Sequence, residues 1–281
     1  MRCAAIILAF GDDDDLHAEA WTMLLTTLRY APPTLDLLIM TDRPERYRWF
    51  GGRVRTVEVS GERLAAWKGE HGLFSRIKLE FLRDFLAREQ CDVLCLDADM
   101  FARRDLGPLV DGIRAGRLFM HLKEYRWARP PSPRQRRVWR HVGGKTFAGH
   151  TVRPETVMWN AGVLGFAWEH RVVVERMLAV YDAFAASGLH RLRHTVQQHS
   201  ISLVMQQHGP LEPAEPFFDH YWANKPGHDL AIREHISVIA TRGYAPDEAA
   251  RWMVEHPIRL PLVYRPRWWH RALRRLVPRW A

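Results

Sequence analysis

The apolar run Val93-Leu94-Cys95-Leu96 stops abruptly at Asp97-Ala98-Asp99. A run this short and this apolar reads as a strand buried on both faces, the kind found in parallel sheets covered by helices. Two carboxylates cannot follow it into a core. They must emerge at its carboxyl end, where open α/β sheets bind their ligands. Oxygen donors of this type suit Mg²⁺ or Mn²⁺, ions that hold phosphates alongside one or two protein carboxylates. The strand and its terminus predict an α/β fold with metal-assisted chemistry on a phosphate-bearing substrate.

The remaining pattern agrees with such a sheet. Residues 4–10 read as a first strand and 17–29 as a helix with Trp21, Leu24, Leu25 and Leu28 on one face. Ala31-Pro32-Pro33 breaks the chain before strands at 35–41 and 54–59. An amphipathic helix at 74–86 leads into the Asp-x-Asp strand, followed by a helix at 109–115 and a strand at 118–121. Asn160-Ala161-Gly162 opens a strand at 163–166, helices follow at 172–186, 195–207 and 246–254, and 213–226 reads as irregular. Strands alternating with helices predict a mixed, mostly parallel sheet flanked by helices. Residues 1–255 form one domain carrying a basic insertion at about 122–156, and 256–281 form a tail.

With 281 residues and 47% hydrophobic content, the chain can bury a full core. No apolar run approaches the ~18 residues of a spanning helix. The apolar start runs directly into Gly11 and four aspartates, so it reads as a strand and not as a signal peptide. Cys91 and Cys95 would stand roughly 13 Å apart along a strand, too far to bridge. With Cys3 they form no zinc-like cluster, and a reducing cytosolic setting is expected.

Charge is segmental. Between Lys123 and Arg153 there are nine Lys/Arg and one acid, Glu124, and from Arg259 onward seven Arg and no acid. Set against a net charge of +9, this leaves the rest of the chain acidic, so the basicity belongs to two segments. On a helical wheel over 267–277, Trp269, Leu273 and Leu276 oppose Arg267, Arg271 and Arg274, the pattern of a helix lying in an anionic membrane interface. The tail is expected to dock the protein at the inner face of the cytoplasmic membrane, with several arginines contributing roughly 1 kcal/mol each.

Four segments occur in a telling order: Phe74-Ser75-Arg76-Ile77-Lys78-Leu79, residues 93–99, Asn160-Ala161-Gly162-Val163, and His220-Tyr221-Trp222-Ala223-Asn224-Lys225-Pro226. Over about residues 4–230 the chain resembles metal-dependent glycosyltransferases of the GT-A type, nearest in pattern to the glycogenin and lipopolysaccharide galactosyltransferase group. That resemblance implies a nucleotide-diphosphate sugar donor, a glycan or glycolipid acceptor and a role in cell-envelope polysaccharide synthesis. It implies Mn²⁺ (or Mg²⁺) held by Asp97, Asp99 and His220, with Asp97 also reaching the ribose. Arg76 and Lys78 precede the metal strand as candidate cations for the diphosphate, and the resemblance turns Arg76 toward the sugar-nucleotide. Asn160, Ala161 and Gly162 would meet the donor sugar or acceptor, and Asp12 the base or ribose. Lys225 would touch the phosphates, although it follows His220 by five residues, one fewer than the group's spacing. The late helix reads Thr195-Val196-Gln197-Gln198 with no carboxylate, a departure from the group's pattern that leaves two routes open, a retaining, front-side one assisted by Gln198 and an inverting one that needs a carboxylate base.

Two other classes compete. A nucleic-acid-binding protein would also be basic and Arg/Trp-rich. No recognisable module appears, however, and the carboxylates at the mouth repel phosphate without a metal, so no nucleic-acid partner is expected. A sugar nucleotidyltransferase would need a Gly-rich phosphate loop where Gly11 and the aspartates stand.

Overall fold

The computed structural model describes residues 2–192 and 196–260. The first half of the chain runs β1 (Cys3–Ala9), α1 (Asp14–Tyr30), β2 (Leu35–Thr41), β3 (Arg55–Glu58), α2 (Gly61–Trp67), α3 (Ile77–Arg88), β4 (Asp92–Leu96), β5 (Met100–Ala102), α4 (Gly107–Arg114) and β6 (Leu118–Met120). The second half runs β7 (Lys123–Arg126), α5 (Pro133–Val142), β8 (Thr146–Phe147), β9 (His150–Thr151), β10 (Val157–Trp159), β11 (Val163–Phe166), α6 (Val172–Ala186), α7 (Val196–His208), β12 (Leu211–Pro213), β13 (Phe218–His220), α8 (Lys225–Arg242) and α9 (Pro246–Glu255).

Alternation along β1 sets the layering. Ala4 and Ile6 enter one core with Phe81 and Phe85 of α3, Met177 of α6 and Val204 of α7. Cys3, Ala5 and Ile7 enter the other with Leu24 of α1, Ile113 of α4 and Met253 of α9. Each fully buried Leu or Ile on these faces contributes roughly 1.5–3 kcal/mol. All three cysteines are free and buried.

The result is an α/β fold around a seven-stranded sheet in the order β12-β6-β11-β4-β1-β2-β3. Parallel pairing joins β3, β2, β1 and β4, and also β12 and β6, while β11 runs antiparallel to both its neighbours. Because β11 is reversed, the residues that enter it meet the residues that leave β4. The segment between β6 and β11 therefore starts and finishes at one sheet edge, closed at its neck by His121 N–H to Asn160 O (3.2 Å) and Asn160 N–H to Leu122 O (2.9 Å).

The predicted elements are present with small shifts at their ends. The turn Phe74–Arg76 is 3₁₀, so the helix proper starts at Ile77. The stretch expected to be irregular at 213–226 contains β13, which pairs with β5. The 18-residue helix α8 was not foreseen, because its buried positions are sparse: His228, Ile232 and Ile239. Its punctuation was nevertheless in the sequence, with Pro226 at the first turn and Gly243 closing the helix at φ 63°. The expected tail helix at 267–277 lies outside the described residues. Among the described residues no helix is long and apolar enough to cross a membrane.

Candidate metal centre

Asp97 and Asp99 leave β4 at the carboxyl edge of the sheet, and Asp97 N–H donates to Gly162 O (2.8 Å), tying that end to the entrance of β11. His220 arrives by a different route. β13 pairs antiparallel with β5 in the register His220↔Met100, which sets the imidazole beside Asp99 although 121 positions separate them. One donor atom from each of Asp97, Asp99 and His220 lies within 4.8 Å of the others, a buried to half-buried group that can hold a metal ion.

The hydrogen bonds around His220 decide which nitrogen is available. Asn160 Oδ1 accepts from Gly162 N–H at 2.9 Å, which fixes the amide orientation. The same oxygen stands 3.1 Å from His220 Nδ1, so Nδ1 carries the proton and donates. Nε2 then faces Asp99 Oδ1 at 3.2 Å, where it donates a hydrogen bond when it carries a proton and offers a lone pair to a metal when it does not. Two acceptors at that distance need a proton or a cation between them. An imidazole whose second nitrogen is held by an amide oxygen is also how metal-bound histidines are oriented. Gly162 makes the approach possible: a Cβ there would sit 2.7 Å from the His220 ring.

Two lysines flank the carboxylates. Lys78 Nζ is buried and donates to Asp97 Oδ1 (2.8 Å) and Ala161 O (3.0 Å). Burial opposes its charge, yet Asp97 prevails and its pKa is raised. Lys225 Nζ stands 2.8 Å from Glu19 Oε1 and 3.4 Å from Asp99 Oδ2. Burial likewise works against the Lys225 charge, and Asp99 and Glu19 raise its pKa. Burial alone would raise Asp99, but the His220 hydrogen bond and Lys225 hold its carboxyl below the usual range. Glu19 moves the other way, because burial outweighs Lys225.

Two cavities meet at this cluster and share Asp97, Asp99 and Gln197. One, of about 440 Å³, has apolar walls that include Leu8, Phe10, Phe74 and Ile77, with Lys78 and Lys225 at its polar end. The other, of about 340 Å³, is lined by Glu124, Asn160, Gln198, Arg134, His220 and Trp222 among others. Glu124 opens into this second cavity, where its Oε1 accepts from Asn160 Nδ2 (3.3 Å) and its Oε2 from Gln198 Nε2 (3.0 Å). Partial desolvation raises its pKa despite these two hydrogen bonds.

Asp97, Asp99, Asn160, Ala161, Gly162, Gln198, His220 and Lys225 thus converge on one edge of the sheet. Two predicted residues do not join them. Arg76 turns toward α6, donating to Asp182 Oδ1 and Oδ2 (2.8 and 2.9 Å) and pairing with Glu80. It lines a separate cavity with Gly69 and His71. Two helical positions place Arg76 and Lys78 on different faces, and it is Lys78 that reaches Asp97. Asp12 is exposed, bonds Arg43 at 2.6 Å and lines neither cavity of the cluster. Its neighbour Asp13 caps α1.

The residues not anticipated are Glu19 beneath Lys225 and Glu124, and of the two cations that precede the metal strand it is Lys78, not Arg76, that joins the site. For Glu124 a signal existed, as it is the one acid among the nine cations of its segment. No protein-family model matches this chain, and no curated protein matches its sequence.

Proposed function

We propose that the chain is a metal-dependent glycosyltransferase of the GT-A type that moves a sugar from a nucleotide diphosphate to a glycan or glycolipid acceptor. The observation that carries this reading is the junction of two unlike cavities at an Asp-Asp-His group. A two-substrate transfer needs such a junction, because donor and acceptor must approach one point from separate sides. The convergence of four sequence-distant motifs at one sheet edge supports the GT-A assignment.

The apolar cavity, walled by Phe10 and Phe74, suits a nucleoside base. Lys78 and Lys225, at its polar end, suit a diphosphate and stabilise the charge that collects there as the glycosidic bond breaks. In the second cavity Asn160 and Gln198 offer amide donors and acceptors to sugar hydroxyls. Asp97, Asp99 and His220 are the residues that would hold Mn²⁺ or Mg²⁺, and the hard oxygen and imidazole donors fit either ion. Such an ion supplies Lewis-acid neutralisation of the leaving diphosphate.

The acceptor is expected to be anionic. Among the described residues no Lys or Arg of 123–153 forms an ion pair, whereas arginines elsewhere are commonly paired, as in Arg55–Glu89 and Arg103–Asp219. A phosphorylated glycan or glycolipid in cell-envelope polysaccharide synthesis matches that unpaired charge, with the 256–281 tail meeting the membrane. Thermal shift against a panel of nucleotide sugars tests the reading. One donor should stabilise the protein with Mn²⁺ and lose the effect in EDTA, and no Mn²⁺-dependent shift with any donor would reject it.

A further inference from the structure

We infer that Glu124 is the general base that activates the acceptor hydroxyl. The inference rests on the transferase reading above and adds to it the chemical step and its stereochemical outcome.

Three observations converge on this side chain. First, Glu124 is the carboxylate in the polar cavity that does not belong to the metal group, the others there being Asp97 and Asp99. Second, it is held by two neutral amides, with Asn160 Nδ2 on Oε1 and Gln198 Nε2 on Oε2. Each oxygen takes one hydrogen bond and keeps lone-pair capacity for a hydroxyl. Third, it lacks a cation. Asp97 has Lys78, while Asp99 has His220 and Lys225. Among the described residues no Lys or Arg reaches Glu124 within ion-pair distance, although its own segment holds nine of them. A carboxylate clamped by a guanidinium makes a poor base, and one oriented by amides remains basic.

The step balances as a single displacement. The acceptor O–H proton passes to a Glu124 oxygen, and the freed oxygen pair forms the new bond to the anomeric carbon. The bond from that carbon to the diphosphate oxygen breaks, and its electron pair leaves on the diphosphate. Glu124 then releases the proton to water. One displacement inverts the anomeric centre, which selects the inverting one of the two routes that the late helix leaves open.

Water can serve as the acceptor probe. With Mn²⁺ and whichever of UDP-glucose, UDP-galactose or GDP-mannose stabilises the protein, slow donor hydrolysis is followed by proton NMR, reading the first-formed anomer of the released sugar. Inversion is expected. Glu124→Gln should lower the hydrolysis rate by about 10²-fold or more while leaving the donor- and Mn²⁺-dependent thermal shift unchanged. Retention of configuration overturns the proposal, as does a Glu124→Gln rate close to that of the unaltered protein. Should Glu124→Gln fail to fold, the anomer released by the unaltered protein still decides. If no donor gives a Mn²⁺-dependent shift, the transferase reading fails and this inference falls with it, a result distinct from a bound donor hydrolysed with retention.

Discussion

At the residue scale, a side chain's role follows from which groups surround it more than from its place in a motif. Asp99 is held below the ordinary carboxylate range by the His220 hydrogen bond and Lys225, against the effect of burial, so it stays ionised and ready for a cation. Asp99→Ala should abolish any Mn²⁺-dependent thermal shift. Arg76 belongs to the α3–α6 contact, and its loss leaves the buried Glu80 with Arg83 as its one ion-pair partner among the described residues. Arg76→Ala should therefore cost about 1–3 kcal/mol in urea unfolding while nucleotide-sugar binding persists. A loss of binding at unchanged stability would restore Arg76 to the site. His121 is buried, and burial first and His220 second push its pKa down to about 4. An unfolded imidazole titrates near 6.5. Below that pH the unfolded chain takes up a proton that the folded chain refuses. The stability is thus fully present above pH 6.5 and is lost as pH falls toward 4. In metal-free protein the loss should be on the order of 3 kcal/mol. Urea midpoints between pH 7.5 and 4.5 would measure it, and His121→Asn should flatten the trend. Asp97 and Asp99 were legible in sequence because an apolar strand ends on them. Glu124 stood out only as the one acid of a basic segment, and its place in the site was not legible, because its partners Asn160 and Gln198 lie 36 and 74 positions away and only the fold brings them together.

At the scale of elements, the site is held by backbone pairing between short pieces. β13 has three residues, and its register against β5 alone decides that His220 meets Asp99. Gly162 stands where β11 begins, with the His220 ring so close that a methyl group cannot enter. Gly162→Ala should push the imidazole aside and weaken Mn²⁺ binding by roughly 10–100-fold, the range seen when the support of a ligand is disturbed. Isothermal titration with Mn²⁺ would measure it, and an unchanged affinity would count against His220 as a ligand. Long helices such as α6 were readable from their 3.6-residue period, and fully buried strands such as β11 from a short unbroken apolar run. β5, β12 and β13 were not, since three residues carry no period and gain their structure from a partner distant in sequence.

At the scale of the molecule, the α/β alternation was written in the hydrophobic pattern, but the order of the sheet and the reversal of β11 were not. Those depend on which strands share an edge, a non-local choice that no local spacing encodes. The last described helix, α9, packs against α1 through Ala249, Ala250 and Met253, so the folded core is closed before the arginine-rich tail begins. A protein ending at Pro257 should stay folded yet no longer co-sediment with vesicles containing anionic lipid. Unchanged sedimentation would count against the tail as a membrane-docking segment. The reversed strand has a consequence for how such a protein can change. The excursion between Leu122 and Asn160 leaves and rejoins the sheet at a backbone-bonded neck, yet Trp127, Val138, Val142, Phe147 and Trp159 plug it into the same core as α3, α6 and α7. Its length can therefore vary only in the exposed turns between these anchors, since removing the whole excursion would leave a cavity in the core beneath it.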